Sequence, residues 1–412
     1  MTGNNGLQRQ SQTMRKSLDR SSLSGKRIAR ELLLLCTTSS MSPERKERIS
    51  QILKGTVNWQ YLLDLMELHG IASLIAYNLS NGDFTCQIPQ PYVDKLNQIY
   101  NNTLYRNVVI SNELARILSA FNQHGVDVLP LKGTVLAEVL YGNPALRSVT
   151  DIDVLVNQSN MDQARHLLKE LGYKQVEMPP MWVHYFHDAP YRKEGKFPSV
   201  VELHWDLADR KLVAVAEQEI WRRAQPLKLQ GVSTKILSPE DNLLYLSNNR
   251  SKQKTQILKS LGDISELLKK YENVLDWKYI IESARSWQVE SAVYFSLKQV
   301  KGLLDISVPE SVLAALKPVL WRRRAIEFLI SRRDLISPIR SVKLRNETSA
   351  VVHSLMMKHI SQMSAVLSKH RGSTRRAVWL RTAIWVVLVF GAALVRNAVR
   401  SITARNDGSP VA

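Results

Sequence analysis

Between residue 31 and about residue 123, apolar positions recur at three- and four-residue spacing. The clearest stripe, Leu114, Ile117, Leu118 and Phe121, lies on one face of a helix that Gly125 stops. From Val126 to about Leu237 the texture changes to short β-branched runs separated by one or two helices, the pattern of strands and helices mixed in one unit. Val126–Leu131 predicts a strand, Gly133-Thr134 a turn, and Val135–Tyr141 a helix ended by Gly142. Thr150–Val156 predicts a second strand, nearly all apolar except at Asp151 and Asp153. Asn160 then opens a helix with Ala164, Leu167, Leu168 and Leu171 on one face, closed by Gly172. Tyr185–Lys193 and Ser199–Trp205 predict a hairpin turning at Glu194-Gly195-Lys196, with Pro190 marking a bulge or an edge because it has no N–H to give. The helical pattern returns from Pro239 to about Leu316, and beyond Trp321 the chain turns basic. The fold class expected is α+β, a small mixed-sheet core with flanking helical segments. The expected division is a disordered basic tail over 1–30, a helical segment over 31–124, the core over 125–237, a second helical domain over 238–320, and a basic region over 321–412.

Composition narrows this picture only at its edges. With 412 residues, 44% hydrophobic and 23% charged, the chain is long enough for two or three packed units and is not a disordered polymer. The formal charge of +19 favours polyanionic partners, whether nucleic acid, anionic lipid or a triphosphate, and does not choose among them. Cys36 and Cys86 are far apart and in no Cys-x-x-Cys pattern, so neither a disulfide framework nor a thiolate metal site is indicated, and a cytoplasmic location is expected. The four leucines Leu32–Leu35 are too short an apolar core for a secretory signal. Thr382–Val395 is an apolar run of 14 residues between arginines, short of the roughly 20 residues of a membrane span. It suits a helix lying on the inner membrane face, a short and strained span if Arg381 snorkels, or a helix packed on the protein body.

The candidate chemistry lies in the central segment. Side chains two apart on a strand share a face, so Asp151 and Asp153 project together, and without a cation they repel. Hard carboxylate oxygens of this kind suit Mg²⁺ or Mn²⁺; alone, the pair equally fits a strand ending in solvated acids. On the hairpin's second strand Glu202 shares a face with Val200 and His204, while Val201, Leu203 and Trp205 face the other way. Lys132-Gly133-Thr134, about 18 residues before the acidic pair, offers a glycine turn where backbone N–H groups can meet phosphate oxygens. Arg147 adds a cation that could serve the same phosphates or simply the surface. His204 is a substrate contact or a structural histidine beside an acid. His184 and His187 are rejected as a zinc pair, because residues three apart on a strand face opposite sides. Trp205, Trp221, Trp277 and Trp287 are expected in the core or at an interface between segments, ahead of the alternative of stacking on a base.

The ordered set Leu131-Lys132-Gly133, Tyr141, Arg147, Thr150-Asp151-Ile152-Asp153, Leu171-Gly172-Tyr173 and Val201-Glu202-Leu203-His204-Trp205 resembles the uncharacterised bacterial nucleotidyltransferases of the polymerase-β-like superfamily. The likeness continues more loosely through Leu237-Ser238-Pro239-Glu240-Asp241, Gly262-Asp263-Ile264 and Asp276-Trp277. The resemblance implies a nucleotidyltransferase core and a nucleoside triphosphate substrate. Gly133 and Thr134 stand at the family's Gly-Ser or Gly-Gly turn, Asp151 and Asp153 at its metal-binding pair, and Glu202 at its third carboxylate. Two departures are Thr134, with an added methyl, and Glu202, where many members have Asp. The implied reaction is in-line attack of an acceptor hydroxyl on the α-phosphorus with Mg²⁺ or Mn²⁺ bound, leaving pyrophosphate. Small molecule, sugar, protein and RNA all stand as acceptor classes. A different class of function, a non-catalytic binding protein of the same fold holding RNA or anionic membrane on its basic surface, is disfavoured by the intact carboxylates.

Overall fold

Along the first helix and the residue that follows it, Ala29, Leu32, Leu33 and Cys36 are all fully buried at i, i+3, i+4 and i+7, which is one face of an α-helix. The computed structural model describes residues 24–80, 84–177, 187–195, 197–209, 213–252, 256–331 and 355–356. That helix, α1, spans 24–35, so helical structure reaches into the segment whose polarity reads as a tail. Three short helices follow, α2 (Pro43–Leu53), α3 (Trp59–Leu68) and α4 (Ala72–Ser80), the first two capped by the side chains of Ser42 and Asn58. Helix α5 (Gln90–Gln123, 34 residues) is long enough to serve two cores. Val93 and Leu96 at its start pack with the other helices, and Ile110, Leu114, Ile117, Leu118 and Phe121 at its end pack against the sheet.

The sheet has the order β1-β2-β5-β4-β3, from β1 (Val128–Pro130), β2 (Ile152–Val156), β3 (Lys174–Gln175), β4 (Asp188–Lys193) and β5 (Ser199–His204). Only the β2–β5 pair is parallel, so the sheet is mixed. Helix α6 (Thr134–Val139) follows β1, and α7 (Met161–Glu170) follows β2. Pro190 sits inside β4, and its carbonyl accepts from Val176 N at 2.9 Å. The N–H that proline lacks therefore faces the side of the two-residue strand β3, where the ladder is ending.

Strand alternation gives the sheet two distinct faces. Ile152, Val154, Val156, Val201 and Leu203 pack with α5 and α7, whereas Leu129, Leu131 and Leu155 belong to the core of the helical body. Asp153 shares a face with Leu155, and Glu202 and His204 lie opposite Val201 and Leu203, so all three acid-site residues point toward that body.

The body is completed after β5 by α8 (Glu217–Arg223), a hairpin of β6 (Gln225–Leu229) and β7 (Val232–Ile236), and then α9 (Pro239–Lys252), α10 (Ile257–Lys270), α11 (Trp277–Ser286), α12 (Glu290–Leu304), α13 (Glu310–Ala315) and α14 (Leu320–Ser331). The hairpin turns on Gln230 and Gly231, both at positive φ (46° and 85°), as a tight two-residue connection requires. Residues from α1–α4 and from α9–α13 form a single apolar cluster, so helical segments on either side of the sheet in sequence build one core. Leu355 and Met356 join it, and Trp287 is buried in it, while Trp221 and Trp277 pack against it and Trp205 against the sheet core. Cys36 and Cys86 are both free thiols. No helix among the described residues is long and apolar enough to cross a membrane; the run Thr382–Val395 and residues 1–23 lie outside the described residues.

Candidate active site

β2 is an interior strand and every one of its residues is buried, Asp153 included. The parallel register sets Asp153 directly beside Glu202, and Leu155 beside His204. Ligand-capable atoms of Asp153, Glu202 and His204 all lie within 4.8 Å of one another. Asp151 immediately precedes β2 and is half-buried; its Oδ1 accepts from Thr150 Oγ1 at 2.9 Å, and it stands outside that close group.

The three acids do not face one another unscreened. Lys132 Nζ lies 2.9 Å from Asp153 Oδ1, and His204 Nε2 donates to the same oxygen at 3.2 Å and lies 3.7 Å from Glu202 Oε2. Lys132 is delivered by the backbone, because Leu131 N donates to Asp153 O at 3.1 Å and carries β1's pairing one residue further. Burial alone would raise the Asp153 carboxyl, but Lys132 and His204 outweigh it and hold the group far below its ordinary range. Burial would likewise lower His204; its contacts with Asp153 and Glu202 prevail and push it up to about 9. Glu202 is raised: the contact with His204 pulls it down, and burial with repulsion from Asp153 overcomes that pull. The repulsion expected among unliganded carboxylates therefore falls on Glu202, while Asp153 is neutralised by two cations.

Asp153 Oδ2 is buried with no hydrogen-bond partner among the described residues. A carboxylate oxygen left bare inside a protein is costly unless a cation or donor completes it. That bare oxygen, beside the half-buried Glu202 and with Asp151 at the strand entrance, is an oxygen-donor set fitted to a hard divalent ion.

The glycine turn is rigid. Gly133 has φ 67° and ψ −123°, and a Cβ there would come within 3.3 Å of Val149 and 3.4 Å of Asp151 O, so only glycine fits. Thr134 is buried at the first position of α6. Arg147 is also buried, with Nε and Nη2 bonding both oxygens of Asp263 at 2.8 and 2.9 Å and Nη1 donating to Gly133 O at 3.1 Å. Tyr141 OH donates to Asp263 Oδ1 at 3.0 Å, and a Cβ on Gly262 would sit 3.3 Å from that hydroxyl. Tyr141, Arg147 and Gly262-Asp263 are thus a single buried clamp tying the glycine turn to α10.

Other positioning residues escape a sequence reading. Asn107 on α5 donates to Pro144 O and, at 2.7 Å, to Arg147 O, while its Oδ1 accepts from Val149 N at 3.2 Å. It pins the segment that leads to Asp151. The only trace in the sequence is an asparagine in line with Ser111, Leu114 and Leu118 on a buried stripe. The Ser238-Pro239-Glu240-Asp241 motif forms a second clamp: Arg223 pairs with Glu240 at 2.6 Å and Asp241 at 3.2 Å, and Tyr279 OH donates to Asp241 at 2.7 Å. Tyr245 of α9 is buried close enough to the site for Lys132, Asp153 and Glu202 all to act on its hydroxyl, which burial pushes well above its usual range. His184 lies outside the described residues. His187 stands with Asp188 and His204 as another close group, its ring centroid 5.7 Å from that of His204. Cross-strand register, which pairs Asp188 with His204, brings together what spacing along one strand separates.

Residues 55–305 match the sequence profile of a family described as "Uncharacterised nucleotidyltransferase". No curated protein sequence matches the chain. Among solved structures, an antigenic nucleotidyltransferase-like protein from Paracoccidioides brasiliensis aligns over 50% of this chain and 91% of its own, at 14% identity and a TM-score of 0.32. The antibiotic-resistance factor ANT(2'')-Ia aligns over 55% of this chain and 100% of its own, at 14% identity and a TM-score of 0.27.

Proposed function

The chain belongs to the uncharacterised nucleotidyltransferase family, whose profile spans more than half of it, and from that membership we propose that it transfers a nucleoside monophosphate from a nucleoside triphosphate to an acceptor hydroxyl at the Asp153–Glu202 site. The observation that carries this reading is the parallel pairing of Asp153 with Glu202, with Asp153 Oδ2 buried and unpartnered. Asp151, Asp153 and Glu202 would hold divalent cations, Mg²⁺ or Mn²⁺, which when bound supply charge stabilisation to the phosphate oxygens and activate the acceptor hydroxyl.

The chain's own residues divide the remaining work. Lys132 is half-exposed and already faces the site, so it can leave Asp153 for a phosphate oxygen once that carboxylate has another cation. The Gly133-Thr134 backbone receives the phosphates, and Gly133 lets the turn lie against Val149 and Asp151 O, where a side chain would crowd it. Arg147 is assigned the task of fixing that turn rather than touching the nucleotide, since Asp263 takes the Nε and Nη2 edge of its guanidinium and Gly133 O takes Nη1. His204 stays protonated at neutral pH and orients Asp153 and Glu202. The acceptor enters against α9, where Tyr245 borders the acids, and substrate choice rests with the helical body.

The test uses each triphosphate in two forms, labelled at the α- or the γ-phosphate, incubated with protein, Mg²⁺ or Mn²⁺, and a cell extract. The expected result is label from the α position, and none from the γ position, joined to an acceptor whose class it identifies. Transfer of the γ label would contradict the proposal, as would α-label transfer that persists in chelator.

A further inference from the structure

A histidine has two ring nitrogens, and those of His204, on the strand β5 between β2 and β4, are used unequally. Nε2 donates to Asp153 on β2 at 3.2 Å and stands 3.7 Å from Glu202 Oε2. Nδ1 is buried and has no hydrogen-bond partner among the described residues, a costly state for a polar atom sealed from water. On the β4 side the residue directly opposite His204 is Asp188. Side chains paired in this way share a face of the sheet, with Cβ atoms about 4.5–5.5 Å apart. The half-buried Asp188 carboxylate enters no hydrogen bond or close ion pair among the described residues.

His187 joins this pair from just before β4. Its carbonyl accepts from Trp205 N at 3.0 Å, which continues the β4–β5 ladder by one step, and its ring centroid is 5.7 Å from that of His204. One nitrogen of each ring and one Asp188 oxygen all lie within 4.8 Å of one another. The acid site on the other side of His204 offers carboxylate oxygens, whereas this group offers two nitrogens and one oxygen. Hard Mg²⁺ selects the first kind of donor set, and Zn²⁺, held by imidazole and carboxylate with an open position for water, selects the second.

We propose that His187, Asp188 and Nδ1 of His204 form a second cation site, which takes Zn²⁺ or a divalent ion of the same borderline class and completes its shell with water. Nε2 is engaged by Asp153, so Nδ1 is the His204 nitrogen left for an ion. A metal-bound histidine characteristically gives its other N–H to a carboxylate, which fixes the ring and its tautomer. The bond from Nε2 to Asp153 is that arrangement already made. The ion replaces the proton on Nδ1, which leaves to solvent, and the Nε2 proton stays on its bond to Asp153. Ligand atoms around a tetrahedral Zn²⁺ stand about 3.3 Å apart, given bonds of about 2.0–2.1 Å. The group would close on the ion by small rotations of the half-buried His187 and Asp188, with the buried His204 held in place. The site stands independently of the transfer reading; where transfer occurs, the ion fixes His204 as a positioning residue for Asp153.

The experiment titrates Zn²⁺ by calorimetry into metal-stripped, full-length protein in excess Mg²⁺, with thermal unfolding of each protein with and without Zn²⁺. The proteins are wild type, His187→Ala, Asp188→Ala and Glu202→Gln. Wild type is expected to bind one Zn²⁺ and to unfold at a higher temperature with it. His187→Ala and Asp188→Ala should fold and bind Zn²⁺ more than about a hundredfold more weakly, beyond the loss expected from a residue that only supports a ligand. Glu202→Gln should keep most of the Zn²⁺ affinity. Should either alanine variant fail to fold, His187→Gln or Asp188→Asn, closer in size to the native residue, takes its place. Absence of Zn²⁺ binding by wild type overturns the inference, as does wild-type affinity in the folded variants of His187 and Asp188. A loss in Glu202→Gln as large as theirs puts the ion in the acid site, which overturns this inference and leaves the transfer reading standing.

Discussion

Asp153 is almost wholly out of water and still ionised, while burial and then the Arg147 guanidinium outweigh Asp263 and Asp151 at Lys259, in the first turn of α10, and lower its ammonium. The lysine has a measurable consequence for stability. Its folded value, about 8, lies below the ordinary 10.5, so between those limits the unfolded chain binds more protons than the native one and stability rises with pH. Below pH 8 the native state carries the full penalty of the buried charge. Lys259→Met should therefore have a higher Tm than wild type at pH 7, with the gap closing between pH 8 and 10.5. Thermal unfolding across that range checks it, and a gap that is absent or widens with pH contradicts it. At this scale the acids were legible in the sequence, because a period of two fixes which strand residues share a face, and Glu202 and His204 do project beside Asp153. The partners of the cations were not legible. Arg147 meets Asp263 across 116 positions of chain, and Asn107 meets Arg147 O across 40, distances over which no local pattern carries information.

Among the elements, β2 and β5 matter most. The hairpin of β4 and β5 can be read from alternation and the turn at Glu194-Gly195, but the parallel neighbour that completes the acid site depends on β5 lying between β2 and β4, which tertiary packing decides. The β6–β7 hairpin was hidden for a local reason: one of its two positive-φ turn positions is Gln230 rather than Asn, Asp or Gly. Helix α5 holds the segment before β2 through Asn107. Asn107→Ala leaves a buried carbonyl, a part-buried one and a buried N–H without that partner, so it should cost about 2–3 kcal/mol. Asp263→Ala strands Arg147 in the interior and should cost about 3–5 kcal/mol. Denaturant unfolding at pH 7 measures both, and a loss below about 1 kcal/mol for either would show that the clamp it serves is not holding the turn.

On the scale of the whole molecule, helices α1–α4 and α9–α13 form one core around the acid-bearing face of the sheet. The textures along the sequence are separate, and no pattern in either stretch announces the other as its partner; the buried stripes show only that each needs one. The formal charge of +19 bears on the basic region after α14. We propose that this region, with its apolar run Thr382–Val395, attaches the protein to anionic membrane. The expected outcome is that full-length protein sediments with membranes after cell fractionation and that a form ending at Arg371 does not. Equal partition of the two forms would sink the idea. RNA is not expected to be the principal acceptor, and sub-micromolar, sequence-selective RNA binding at physiological salt would overturn that expectation.

The most direct test of the acid site is Glu202→Gln, assayed for metal-dependent transfer of α-phosphate label beside thermal unfolding without metal. Glu202 bears the repulsion in the site while Asp153 is neutralised by Lys132 and His204, so removing the Glu202 charge should leave the apo protein as stable as wild type or slightly more so. Transfer should fall by more than about a hundredfold, beyond the loss expected from a residue that only supports a metal ligand. Transfer retained near the wild-type rate in a folded Glu202→Gln protein would contradict the account.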